Sequence, residues 1–282
     1  MRRTHAARIA GKTVLITGGA RGIGAQVARD LVAYGARVAI LDRDKTAAAH
    51  LAGELGSAAA TFEADVTSVA SMIAGCASAA EHFGGIDVVV ANAGIAGPGA
   101  TVASVDPEQW RNVIDINLTG VFHTAHAALP HLRASRGYLL AVASVAAVLP
   151  GPTVSGYMAA KTGVESLVRS LRVELGGTGV GVGIAYFGLV DTGLAADLLT
   201  DSGLGAVMSA VPAAVGRPIP VATAATAIVT GVARRSRRLY APGWVALLLD
   251  LRTPLSAADR LLAVWPSIRR TVGAADRKKE LR

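Results

Sequence analysis

Cysteine is almost missing: Cys76 stands alone in 282 residues. That excludes a disulfide framework and a thiolate metal cluster, and it suits a reducing compartment. Aromatic residues make up 4% of the chain, too few for a stacking platform on single-stranded nucleic acid. Charged residues are scarce as well, at 17% against 52% hydrophobic, which excludes a disordered chain and allows a large core. No apolar run reaches the roughly 18 residues a membrane span needs; Val245–Leu249 is cut off by Asp250 and Arg252. Met1–Ala10 is polar and basic with no long apolar stretch behind it, so no secretory signal is read. Internal repeats and low-complexity linkers are also missing. The expected location is the cytoplasm, with a membrane-peripheral placement as the alternative.

The net charge is +8, and it is unevenly spread. Met1–Gly231 holds 16 basic and 16 acidic residues, whereas Val232–Arg282 holds 12 basic and 4 acidic. A neutral body therefore carries a basic end. Such an end can meet an anionic lipid or an acidic partner, or it can be a solvated terminus, the reading preferred for Asp276–Arg282. Arg234, Arg235, Arg237 and Arg238 form a small cluster, but with no DNA-binding motif nucleic acid is not an expected partner. Trp244–Leu251 and Ala257–Trp265 read as apolar-faced helices that either rest on a membrane or partner, or pack onto the body.

The body has two alternating periodicities. Short runs rich in Val, Ile and Leu predict buried strands at Thr13–Thr17, Val38–Leu41, Ala59–Glu63, Ile86–Ala91, Tyr138–Ala143, Val180–Tyr186 and Arg238–Ala241. Helical spacing fills Ile23–Tyr34, Thr46–Leu55, Ser68–Phe83, Pro107–Arg133, Tyr157–Gly176 and Val221–Ala233. Buried strands alternating with helices predict an α/β, Rossmann-type doubly wound parallel sheet with helices on both faces. One domain is expected over 11–243, followed by a basic, partly apolar extension over 244–282. Gly188–Gly216 is rich in Gly and Ala and reads as a lid or a surface helix pair.

The first strand runs into Gly18-Gly19-Ala20-Arg21-Gly22-Ile23-Gly24 and then a helix. Glycines let a pyrophosphate approach the backbone, and a helix N-terminus supplies N–H groups and a positive dipole. The second strand ends at Asp42, 18 residues after Gly24. A carboxylate at that place hydrogen-bonds the adenosine ribose and repels a 2′-phosphate, which favours NAD. Arg21 and Arg43 argue for NADP, since either can pair with a phosphate.

Tyr157 and Lys161 stand four apart at a helix start and so share a face. A Lys⁺ about 4 Å away, at an effective dielectric of about 20, is worth up to about 4 kcal/mol toward phenolate. The pair can then run acid–base chemistry near neutrality. Ser144 follows the Tyr138–Ala143 strand at a carboxyl edge, where its hydroxyl can polarise a carbonyl. Asn117 lies among apolar neighbours in a helical stretch, and Asn92-Ala93-Gly94 ends another strand at the same edge. His123, His126 and His131 have no acidic or cysteine companion, so no metal site is read from them, and Cys76 reads as core.

Together these motifs resemble the short-chain dehydrogenase/reductase family over about Gly11 to Gly243. Thr17-Gly18-x-x-x-Gly22-Ile23-Gly24 is similar to its cofactor motif, Asp65-Val66 to its adenine contact, and Asn92-Ala93-Gly94 to its sheet-stabilising motif. Asn117, Ser144, Tyr157 and Lys161 resemble its catalytic tetrad, and Trp110 fits as packing. The resemblance implies hydride transfer between a nicotinamide cofactor and a secondary alcohol or ketone. In it Tyr157 moves the proton, Ser144 places the oxygen, Lys161 holds the ribose and Asn117 holds a water. Val190 and Thr192 would meet the carboxamide. Two departures stand out. Phe187-Gly188 replaces the usual Pro-Gly, and the chain continues past Leu239–Trp244 where many tetrameric members end. The resemblance makes a homodimer the default.

Leu194, Leu198, Leu199, Leu204, Val207 and Met208 give the lid an apolar character, so the expected substrate is steroid-, acyl- or terpenoid-like. Two alternatives stand beside an NAD enzyme: an NADPH-dependent carbonyl reductase, and a non-catalytic nicotinamide-binding scaffold.

Overall fold

The computed structural model describes residues 2–201, 208, 216–257 and 259–280. Seven strands, β1 (Thr13–Thr17), β2 (Arg37–Asp42), β3 (Ala59–Glu63), β4 (Val88–Ala91), β5 (Tyr138–Ser144), β6 (Gly181–Phe187) and β7 (Arg238–Ala241), form one sheet in the order β3-β2-β1-β4-β5-β6-β7. Every pairing is parallel. The chain builds outward from β1 to β3, returns beside β1 as β4, and then builds the other way. The reversal opens a crevice between the carboxyl ends of β1 and β4, where open α/β sheets bind ligands.

Period-two alternation sends side chains to two separate cores. Leu15, Leu41, Val89, Leu139, Ala141 and Ile184 face one side. That side is covered by α4 (Val69–Phe83), α6 (Gly120–Ser135) and α7 (Ser155–Glu174), with Met72, Cys76, Val121, Val164 and Val168 packed in. Val14, Ile16, Ile40, Val90, Leu140 and Val142 face the other. There α2 (Gly22–Ala33), α3 (Lys45–Leu55) and α9 (Val221–Arg234) supply Val27, Leu31, Leu51, Ala224 and Ile228. Burial of Cys76 pushes its thiol up to about 12, so it is an inert core group.

Two findings go beyond the sequence pattern, and a third extends the helices read at Trp244–Leu251 and Ala257–Trp265. A first helix, α1 (Arg2–Ile9), fills the polar start, and its Ile9 is fully buried in the second core. The stretch expected as one helix over Pro107–Arg133 is α5 (Pro107–Ile114), a wider π-type turn at Asp115–Thr119, and then α6. The extension is helical: α10 (Trp244–Asp250), α11 (Arg252–Ser256), α12 (Asp259–Val264) and α13 (Pro266–Glu280). Val245 and Leu249 of α10 join the first core. Of the lid, α8 (Gly193–Asp201) is described, whereas Leu204 and Val207 lie outside the described residues.

Candidate active site

The glycine turn follows β1 without an intervening loop. Gly18 sits at φ +60, and a Cβ there would lie 2.8 Å from the Cα of Ala93. A Cβ on Gly24 would come within 2.3 Å of the Gly18 carbonyl oxygen, so only glycine permits this tight entry into α2. Asn92 ties the turn to β4. Its side-chain amide donates to the carbonyls of Gly18 (2.9 Å) and Thr17 (3.2 Å), and its own N–H donates to Thr17 Oγ1 at 3.1 Å. Arg21 precedes α2 in extended conformation and gives that helix no side-chain cap. The first turn, with Gly22, Ile23 and Gly24, therefore presents its N–H ends to the crevice, a cradle that fits a pyrophosphate.

Asp42 ends β2 beside this turn. Its carboxylate accepts the N–H groups of Ala20 and Asp44, each at 3.0 Å. A carboxylate has about four acceptor sites, so two remain for ribose hydroxyls. Arg21, one of the two groups that argued for a 2′-phosphate, is paired with Asp44 at 2.5 Å. Asp44 also caps α3 through the Ala47 N–H. Arg43 is exposed, and its charge helps to lower the Asp65 carboxyl, after the hydrogen bonds from Thr67. Asp65 and Val66 follow β3 at the same edge, and the Val66 carbonyl meets His123 Nδ1 at 2.8 Å. Across the crevice Val190 bridges to Ile219. Thr192 bonds back to the Val190 carbonyl at 3.2 Å and stands against the turn, 3.5 Å from where a Gly22 Cβ would be.

The proposed chemical groups converge beyond β4 and β5. Ser144 is the last residue of β5, and its Oγ accepts the Ala146 N–H at 3.1 Å. Tyr157 and Lys161 project from the first turns of α7, with Lys161 Nζ 5.5 Å from the Tyr157 ring centroid. Lys161 donates to the Val142 carbonyl at 3.1 Å. Asn117 is fully buried. Its amide donates to the carbonyls of Val113 (2.9 Å) and Ile95 (3.0 Å), and its oxygen accepts the Ile95 N–H at 3.3 Å. Regular α geometry would give the Val113 carbonyl to the Asn117 backbone N–H. Here that carbonyl takes the Asn117 side-chain amide, beside the π-type turn at Asp115–Thr119.

One electrostatic expectation is corrected. From spacing alone, Lys161 draws Tyr157 toward phenolate. In the structure burial outweighs that attraction and pushes the Tyr157 phenol up to about 12, against a hydrogen bond with Ser144 that lowers it. Burial likewise holds the Lys161 ammonium down to about 8. The reason is desolvation: Tyr157 is 8% exposed and Lys161 4%.

Tyr157 also closes an apolar wall with Ala96, Val113, Ala146, Val154 and Leu198. Leu198 is one of the lid residues, so α8 does face the site. Trp110 of α5 donates from Nε1 to Ser155 Oγ at 3.2 Å and braces the start of α7. The supporting roles of Thr17, Asp44 and the Val142 carbonyl escaped the sequence reading. Thr17 was named only as the first residue of the cofactor motif, and Asp44 left a signal as an N-cap before a helix.

A family model described as short chain dehydrogenase matches residues 12–203. The chain is 39% identical over 189 residues to a 3-alpha-(or 20-beta)-hydroxysteroid dehydrogenase of Mycobacterium bovis, covering 66% of this chain and 71% of that one. It is 39% identical over 193 residues to a cis-4-hydroxycyclohexanecarboxylate dehydrogenase of Sinomonas cyclohexanicum, covering 67% and 78%. A 3-ketoacyl-(acyl-carrier-protein) reductase from Brucella melitensis, solved with NADH, superposes with TM-score 0.74 at 28% identity, covering 83% of this chain and 97% of that one.

Proposed function

Since the chain belongs to the short-chain dehydrogenase family of oxidoreductases, we propose that it moves a hydride between NAD and an apolar cyclic secondary alcohol or its ketone. The observation that carries the reading is Tyr157 in an apolar wall, with Ser144 ending β5, Lys161 one helical turn on from Tyr157, and β4 standing between β5 and the strand that leads into the glycine turn. The hydroxysteroid and hydroxycyclohexanecarboxylate specificities of the relatives support a ring-bearing substrate.

Gly18, Gly22, Ile23 and Gly24 would hold the pyrophosphate, and Asp42 the adenosine ribose. Asp65, Val66, Asn92, Ala93 and Gly94 would line the adenine and ribose path. Val190 and Thr192 would meet the carboxamide. The nicotinamide, when bound, supplies the hydride acceptor or donor. Ser144 orients the substrate oxygen by hydrogen bonding. Tyr157, protonated in its buried setting, gives a proton to an alkoxide forming at that oxygen. Taking a proton in the oxidative direction needs the phenolate, which the ammonium form of Lys161 favours. Asn117 fixes the floor beneath Lys161. Asp42, with Arg21 already paired to Asp44, supports NAD over NADP.

The test is absorbance at the reduced-nicotinamide band with hydroxysteroids and hydroxycyclohexane acids plus NAD⁺, and the matching ketones plus NADH or NADPH. Turnover with NAD⁺ or NADH that disappears in Tyr157→Phe, while cofactor binding persists, is expected. Turnover only with NADPH would overturn the NAD assignment. A Tyr157→Phe protein as active as wild type would overturn the mechanism.

A further inference from the structure

We propose that residues 247–257 and 259–265 form a docking surface for an anionic lipid bilayer. Among the described residues ten large apolar side chains are exposed, and five of them fall in this short segment: Leu247, Leu251, Leu261, Val264 and Trp265. Exposure there is extensive, at 70% for Leu261 and 64% for Val264. Leu247 lies in α10 and Leu251 caps it four residues on, while Leu261 and Val264 stand three apart in α12 and Trp265 follows that helix directly. Over residues 247–270 four arginines, at 252, 260, 269 and 270, stand against two acids, Asp250 and Asp259, and Arg252 is taken up by Glu165, so the charge offered outward is that of Arg260, Arg269 and Arg270. Exposed leucines and a tryptophan flanked by arginines match the interfacial zone, where rings and aliphatic chains enter the acyl boundary and guanidinium groups meet phosphates.

The segment is held out from the body rather than frayed from it. On its N-terminal side Val245 and Leu249 are core residues, and Arg252 pairs with the buried Glu165 of α7 at 2.8 Å. On its C-terminal side Ser267, Thr271 and Ala275 of α13 are buried, and Asp276 is hydrogen-bonded to Thr101. Both anchors lie on the carboxyl-edge side of the sheet. Trp244 stands close to Gly188, just past β6, and Thr101 adjoins Ala100, which lines the same cleft as Tyr157. A bilayer on this face would therefore meet the mouth of the cleft. A second copy is a poorer occupant, because two-fold pairing would set the same net-positive patch against itself.

The test uses the full chain and is independent of turnover. Sedimentation is measured with phosphatidylcholine vesicles, with and without about 30% phosphatidylglycerol, at low and high salt. The expected result is binding to the anionic vesicles only, released as salt rises from about 0.05 to 0.5 M. Leu261→Glu/Trp265→Glu should bind about tenfold more weakly or worse with an unchanged melting temperature, since both side chains are exposed. Wild-type protein left in the supernatant, equal binding to neutral vesicles, or a double variant that binds like wild type would each overturn the proposal. So would light scattering in which the double variant turns a dimer into a monomer without any vesicle binding.

Discussion

Gly94→Ala probes the site's geometry with one methyl group. Gly94 follows β4, and a Cβ built there lies 2.7 Å from Asn117 Oδ1 and 3.7 Å from Lys161 Nζ. The first distance is shorter than real Cβ contacts, so something must move. Asn117 resists, being fully buried and held by three hydrogen bonds to Val113 and Ile95. Losing one of these and leaving its buried partner unpaired costs about 1–3 kcal/mol. At about 2–4 °C per kcal/mol for a protein of this size, the melting temperature should fall by roughly 2–12 °C. If the strain reaches Lys161 and Tyr157 in the transition state, every 1.4 kcal/mol or so costs about tenfold in kcat/KM. Adding Asn117→Ala removes the atom that clashes, so the second substitution should cost less in the Gly94→Ala background than in wild type. A Gly94→Ala protein that melts within about a degree of wild type and keeps its turnover, or a strictly additive cycle, would refute the reasoning.

Asp42→Ala removes the carboxylate proposed to meet the adenosine ribose, so the NADPH-to-NADH affinity ratio should rise about tenfold or more in fluorescence titrations; an unchanged ratio would assign selectivity elsewhere. Arg252→Ala leaves the Glu165 carboxylate buried without its guanidinium. Because Arg252 is itself 43% exposed, the pair is worth about 1–2 kcal/mol, and melting should drop by roughly 3–6 °C. Glu165→Gln in that background should recover part of the loss. Lys161 has a depressed pKa of about 8 in the fold. From there up to about 10.4 the unfolded chain binds the extra proton, so stability of the cofactor-free protein should rise with pH across that window. Lys161→Met should flatten the rise in urea titrations; an identical pH slope in the variant would show that Lys161 is not buried as an amine.

The strand pattern was plain in the sequence because a parallel sheet covered on both sides needs continuous Val/Ile/Leu runs. The cofactor cradle was plain because glycine is demanded wherever a Cβ would strike backbone, as at Gly24 against Gly18. Tyr157 and Lys161 stand one turn apart on a helix, a pair common by itself, and they became legible through Ser144, Asn117 and the glycine turn taken together. These are local constraints, and local constraints are written in consecutive residues. What only the tertiary structure decided depends on groups far apart in the chain. Burial raised the Tyr157 phenol where spacing alone argued for lowering it, since desolvation is a property of the whole surroundings. Asp44 captured Arg21, one of the two groups that argued for a 2′-phosphate. The side chain of Asn117 found its partners in Val113 and in Ile95, 22 residues away. Val245 and Leu249 drew α10 into the core while Leu261 and Trp265, with the same hydrophobicity, stayed outside. Composition carries the sum of apolar surface; only packing determines which part of it finds a partner within the fold.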